Sequence, residues 1–329
     1  MGAGMMYLLS SLTRLVDMKK IINSLFVAIV TFAYASVYWL GARNMQDAES
    51  MTSLGYYKPY VYRQLVPMLA RALESIGIRI DLAVVLIVTL SGVGFYLALR
   101  SLVALYHPMT NTTEIIVLLS VFAGMLLFGD FRMPYDLMTA ALFTLAFLFI
   151  ARGETRNYLL LFPFICLNRE TAILLPIVYV AFAYVWKRGN LKQNSIVFVY
   201  SLGVYLLITL ALRLYFAGNP GLSAWVEPWL NIQRFINHPA KSLLHLSGTI
   251  ILLYLIANDW MQKPALLRIA FIFMFPILTG IYFIAGQSFE VRVYFELYPV
   301  IVLLALPVIL EWITWLIFTS ITIREKVTP

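Results

Sequence analysis

Cys166-Leu167-Asn168-Arg169-Glu170-Thr171-Ala172-Ile173 sits in the middle of an apolar run that extends from Tyr158 to Trp186. Its reading decides the fold. As one continuous helix, this run would hold Asn168-Arg169-Glu170 deep in hydrocarbon. A charge at the centre of a membrane helix costs about 2.5–3.5 kcal/mol on insertion scales. Two short helices, 158–167 and 171–186, with the triplet at the tip of a hairpin, avoid that cost. The flanks agree: Arg152/Arg156 precede the run and Lys187/Arg188/Lys192 follow it. Basic loops lie on the cytoplasmic side of a membrane, so the chain between them crosses twice.

The rest of the 329-residue chain asks for the same solvent. Its apolar fraction is 62% and its charged fraction 12%, against roughly 45–50% and about 25% in soluble domains. Apolar runs at 21–40, 82–106, 115–129, 135–151, 158–167, 171–186, 195–216, 243–258, 265–285 and 294–318 each read as a membrane span. The fold class is therefore all-α, a polytopic transmembrane helical bundle of about ten spans. Residues 1–20 read as a cytoplasmic N-terminal segment, 21–318 as a single transmembrane domain and 319–329 as a cytoplasmic tail. Met18-Lys19-Lys20 resembles a bacterial start with a positive flank, which suggests an inner membrane with both termini cytoplasmic. Run 21–40 is too long for the apolar core of a signal peptide.

Several classes drop out. The one cysteine, Cys166, excludes an intramolecular disulfide, and His107, His238 and His245 are scattered. The net charge of +8 comes from basic residues placed singly or in pairs between apolar runs. Without a basic stripe, membrane lipids are the partners and nucleic acid is not. There is no internal repeat of the kind that builds an inverted-repeat transporter.

With the basic loops inside, Asp47, Glu49, Glu74, Asp81, Asp130, Asp136, Glu170, Glu227, Glu290 and Glu296 fall outside, ten of the sixteen acids. Long outer loops at about 41–80 and 217–242 are where such a protein places binding and chemistry. The first begins with Asp47-Ala48-Glu49, a pair suited to a general base, a cation ligand or simply a solvated loop. It continues through Tyr60-Val61-Tyr62-Arg63-Gln64-Leu65-Val66-Pro67. Apolar residues at 61, 65, 68, 69, 72, 73 and 76 follow a helical stripe. Pro67 favours two short helices meeting there or one helix beginning near 65. Arg63, Arg71 and Arg79 on the polar side make it an interfacial anchor, and Arg63 a candidate contact for a lipid phosphate.

Gly129-Asp130-Phe131-Arg132-Met133-Pro134-Tyr135-Asp136 packs two acids and an arginine into one link, with Asp136 placed to favour a helix N-terminus. In the hairpin tip, Arg169 and Glu170 partly neutralise each other, and the arginine fork matches phosphate oxygens. Before the last span, Glu290, Arg292 and Glu296 gather. On a helix, Arg292 and Glu296 face the same way and form either a structural bridge or part of a site. Trp229, Ile232, Phe235 and Ile236 mark a second interfacial helix, with Trp225, Glu227, Arg234 and His238 around it.

This layout resembles the GT-C superfamily of glycosyltransferases: an acidic pair after the first span, interfacial helices, short mid-chain helices around Asn168-Arg169-Glu170, and Glu290/Arg292/Glu296 before the last span. The resemblance covers most of 21–318 in layout and short stretches in residues. It implies a polyprenyl-phosphate-linked sugar as donor, transfer on the non-cytoplasmic face, and an acceptor that is a glycan, a lipid or a protein. It also implies Asp47 as base with Glu49 as alternate, and Arg63, Arg169 or Arg292 on the donor phosphate. Asp130, Arg132, Asp136, Asn168, Glu170, Glu290 and Glu296 would support them. Some members use a divalent cation, magnesium or manganese, which Asp47 or Asp136 could hold. The chain is short, lacks the soluble C-terminal domain of many members, and its acidic pair reads Asp-Ala-Glu. A lipid-linked glycan polymerase or ligase, a flippase of a phosphorylated lipid and a non-catalytic assembly subunit are the competing readings.

Overall fold

In lipid a backbone must satisfy its own N–H and C=O groups, and a helix does so within one segment. A computed structural model of the chain describes residues 3–39, 55, 58–127, 133–185, 190–221, 228–285 and 291–327. Among these residues every extended element is helical, and the sole β pairing is a bridge between Lys58 and Gly221. The α-helices are α1 (Ala3–Trp39), α2 (Leu65–Glu74), α3 (Ile80–Val103), α4 (Asn111–Leu127), α5 (Asp136–Arg152), α6 (Thr155–Asn168), α7 (Leu174–Val185), α8 (Leu191–Tyr215), α9 (Pro228–Asn237), α10 (Pro239–Ala257), α11 (Ala265–Ala285) and α12 (Tyr298–Val327).

Six of them, α1, α3, α8, α10, α11 and α12, are long and apolar enough to cross a membrane, and they mark the chain as an integral membrane protein. The other four expected spans are shorter helices: α4 and α5 have 17 residues each, α6 has 14 and α7 has 12. At a rise of about 1.5 Å per residue, α6 and α7 reach only about 18–21 Å, short of a hydrocarbon core of about 30 Å.

These two short helices form the expected hairpin. Tyr158 near the start of α6 stacks on Tyr179 of α7 with ring centroids 5.4 Å apart, and Thr155 Oγ1 lies 3.2 Å from the Tyr179 hydroxyl. The residues flanking the tip thus return to the same level. The α6 helix ends at Asn168, Arg169 is extended (φ −152°, ψ 136°), and a single 3-10 turn, Glu170–Ile173, leads into α7.

Helix α3 is the hub. It packs on α1, α2, α4 and α5, and buries Phe95, Tyr96, Leu99 and Leu102 completely. Small residues let membrane helices approach closely. A Cβ on Gly92 would stand 2.7 Å from Thr31 Oγ1 of α1. One end of the bundle is tied by Glu114 of α4. It accepts from Asn23 of α1 at 3.2 Å, from Tyr96, and from Arg100 Nε of α3 at 3.0 Å. At the same end Lys263 is buried, and its ammonium donates to Leu255 and Ile256 carbonyls at 2.7 Å each, closing the C-terminus of α10. The outer faces of α8 and α10 expose Leu207, Leu210, Leu214, Leu243, Leu244 and Ile250, side chains that match lipid rather than water.

Helix ends do not all coincide with the expected span ends. Helix α1 runs without a break through residues 20 and 21, since no Gly or Pro falls between Met5 and Trp39. Helix α12 begins at Tyr298, not at 294, and continues through residue 318 to Val327. Residues Val291–Tyr294 form a 3-10 turn ahead of it. Arg292 and Glu296 therefore do not share an α-helical face. Pro299 sits in the first turn of α12, where its missing N–H leaves no carbonyl unpaired.

Candidate active site

The opposite end of the bundle gathers the hairpin tip, the start of α5, the link into α2 and the turn before α12. Tyr135 lies at the centre. The guanidinium of Arg63 sits 4.8 Å from its ring centroid and 5.2 Å from that of Tyr60, and the Arg169 guanidinium lies 5.5 Å from the Tyr135 ring. Arginine over an aromatic face is an attractive arrangement that strengthens with desolvation.

Arg169 is enclosed. Its Nη2 donates to Asp136 Oδ1 at 3.2 Å, and its Nε faces Glu296 Oε1 at 3.3 Å and Thr139 Oγ1 at 3.3 Å. Arg169, Asp136 and Glu296 are 6%, 5% and 2% exposed, so this is an ion triad out of water. Thr171 donates to Glu296 Oε1 at 2.7 Å, and Asn168 donates to Thr139 Oγ1 at 2.8 Å. Thr139 in turn donates to the Tyr135 carbonyl at 2.8 Å, which uses the full capacity of its hydroxyl.

Glu170 does not pair with its neighbour. An extended residue sends adjacent side chains to opposite sides, and Glu170 Oε2 instead accepts from Arg63 Nε at 3.2 Å. Arg63 was placed by sequence on the polar face of an interfacial helix. It is 9% exposed and precedes α2, directed into the bundle. Burial works against its charge, but Glu170, Tyr135 and Asp136 outweigh that effect and hold it firmly protonated. Helix α2 does lie where expected, beginning at Leu65. It buries Leu65, Val66 and Ala70 and exposes Met68 and Leu69, and Ile76 just beyond its end is exposed as well.

Six sequence-selected residues thus converge: Arg63, Asp136, Asn168, Arg169, Glu170 and Glu296. Sequence reasoning passed over Tyr135, Thr139, Thr171 and Tyr60. Thr139 follows Asp136 by three residues on α5, hence on the same face, and Tyr60 sits three before Arg63. Asp47, Glu49, Asp130, Arg132 and Glu290 lie outside the described residues, as does the side chain of Arg292. Among the described residues no three of His, Cys, Asp or Glu come together as metal ligands. Asp136 and Glu296 each spend an oxygen on Arg169.

The cluster holds two arginines and three carboxylates, one negative charge in excess when all are ionised. Beside it opens an apolar cavity of about 760 Å³ between α4, α9, α10, α11 and α12. Tyr294 and Tyr298 line this cavity, whereas Glu296 between them faces the triad. Phe235, Ile236, Leu252, Phe275 and Ile301 form much of its wall. No family model, curated protein or solved structure matches the chain.

Proposed function

We propose that the protein is a membrane glycosyltransferase of the GT-C type that transfers a sugar from a polyprenyl-phosphate donor to an acceptor on the non-cytoplasmic face of a bacterial inner membrane. The observation that carries this reading is the adjacency of a buried arginine–carboxylate cluster and a large apolar cavity, joined through residues 294–298. A ligand with a phosphate head and a long hydrocarbon tail matches both halves. The charged half lies at the end of the bundle opposite the basic loops. In this reading α4 to α7 complete about ten crossings, with the hairpin tip at headgroup depth.

The chemistry is a single displacement. The acceptor oxygen bonds to the anomeric carbon while the bond from that carbon to the phosphate oxygen breaks. The bonding pair leaves with the phosphate, and an arginine stabilises the growing negative charge. Asp47, or Glu49 in its place, takes the acceptor proton. A lipid-linked glycan polymerase or ligase would tolerate loss of both acids, so replacing Asp47 and Glu49 together separates the two enzymes.

The test is native mass spectrometry of protein released gently from membranes. The expected result is an adduct with the mass of a polyprenyl phosphate or its sugar ester, weakened by Arg63→Ala. Ordinary phospholipids alone, in both proteins, would count against the reading.

A further inference from the structure

The two arginines of the cluster are not equivalent. Arg169 is surrounded by Asp136, Glu296 and Thr139, and is 6% exposed. Among the described residues Arg63 has a single carboxylate within ion-pair distance, Glu170, at 3.2 Å. Its Nη1 is buried and makes no hydrogen bond to any described residue. The rings of Tyr60 and Tyr135 attract the guanidinium from close by. A planar guanidinium donates along its edge, and Arg63 has edge capacity to spare.

The carboxylates differ in the same sense. Asp136 and Glu296 are held in the triad at 5% and 2% exposure. The Glu170 side chain is 32% exposed, stands on the short 3-10 turn at the hairpin tip, and has an Oε1 without a hydrogen-bond partner among the described residues. It is the accessible carboxylate of the described cluster, and it occupies the arginine that has a donor left over.

We propose that Glu170 is an internal stand-in for the ligand phosphate: it neutralises Arg63 when no ligand is bound and is displaced by the phosphate of the lipid, a diester in the sugar donor and a monoester once the sugar has left. This rests on the lipid-phosphate reading above and sharpens it, because it assigns the phosphate contact to Arg63 and gives Arg169 a positioning role. A phosphate oxygen pair fits the guanidinium fork as a carboxylate does, and the monoester formed when the sugar leaves brings more charge. Exchange is therefore favourable once the apolar tail is bound, while an unligated Arg63 is never left buried without a counter-charge. It also makes Glu170 a competitor, so removing its charge should tighten binding rather than weaken it.

The test uses purified full-length protein in detergent, titrated separately with undecaprenyl phosphate, undecaprenol and inorganic phosphate. Variants are Glu170→Gln, Glu170→Ala and Arg63→Ala, and thermal unfolding without ligand reports whether each is folded. The expected result is that Glu170→Gln binds undecaprenyl phosphate about tenfold tighter than the unaltered protein, the scale of one charge-assisted contact. Arg63→Ala should lose binding, and undecaprenol should show no gain. Either Glu170 variant suffices if the other fails to fold. Equal or weaker binding by the folded Glu170 variants, with undecaprenyl phosphate still bound by the unaltered protein, overturns the exchange and leaves the lipid-phosphate reading standing. A gain confined to inorganic phosphate overturns the lipid source. No binding of either phosphate by any variant overturns both.

Discussion

Arg169 and Glu170 are adjacent in the chain and serve different partners. Their pairing within the tip was the natural sequence expectation, since each neutralises the other at no conformational distance. The extended backbone at Arg169 sends one side chain to Asp136 and Glu296 and the other to Arg63. Removing Arg169 would strand two carboxylates in a dry pocket, and breaking a buried ion pair from one side costs about 3–5 kcal/mol. Arg169→Ala is accordingly expected to lower the thermal unfolding midpoint in detergent sharply. Adding Glu296→Gln should restore part of the loss, because one of the stranded charges is gone. An Arg169→Ala protein as stable as the unaltered one would remove the triad from its structural role. Residue types and their clustering were legible in the sequence: a charged triplet breaking an apolar run has few explanations other than a tip at a site. Which acid meets which arginine was not, because partners 33, 107 and 127 positions apart in the chain leave no local periodicity. The aromatic platform escaped for a related reason. Tyr135 lies next to Asp136, yet one tyrosine among 20 in so aromatic a chain carries no distinguishing signal.

At the scale of elements, apolar run length located every helix expected to span, and the errors fell at termini. The start of α12 moved from 294 to 298 because residues 291–294 close a tight 3-10 turn. Pattern alone does not separate that turn from the first turn of an α-helix. Helix pairing is a further step, and it depends on single small residues. Helix α3 meets α1 at Gly92, where an added Cβ would lie 2.7 Å from Thr31 Oγ1 and 2.9 Å from Thr31 Cγ2. The branched threonine side chain has no long arm to swing away, and Thr31 is fully buried. Gly92→Ala should therefore cost about 1–3 kcal/mol as an overpacked contact, against the small gain in helix propensity that alanine brings. The measurement is the unfolding midpoint of Gly92→Ala with and without Thr31→Ala. Recovery in the double variant beyond additivity places the fault at this crossing. An unchanged midpoint in Gly92→Ala alone would mean that α1 and α3 do not pack this closely.

For the whole molecule the question is which end faces the cytoplasm, and the placement of its basic residues leads to an expectation. Basic residues at Arg152, Arg156 and Lys192 lie at the end tied by Glu114 and Arg100, because α5 ends, α6 begins and α8 begins there. The arginine–carboxylate cluster lies at the other end, where α5 begins and α6 ends. Short loops rich in Lys and Arg stay on the cytoplasmic side during insertion, so the cluster is expected outside. The arrangement also suits the chemistry, since a lipid-linked donor can present its phosphate at headgroup depth while its tail remains in the apolar cavity. Single cysteines decide the matter. Lys192 and Ser75 are both exposed and lie at opposite ends, and the native Cys166 is only 6% exposed. In intact cells, Ser75→Cys should react with a thiol reagent that cannot cross the membrane. Lys192→Cys should react only after the cells are opened, and the unaltered protein should stay unlabelled in both conditions. The reverse pattern would turn the molecule over. The charged cluster would then face the cytoplasm, where the sugar donors on hand are soluble nucleotide sugars as well as lipid-linked ones, and the proposed substrate class would lose its strongest topological support.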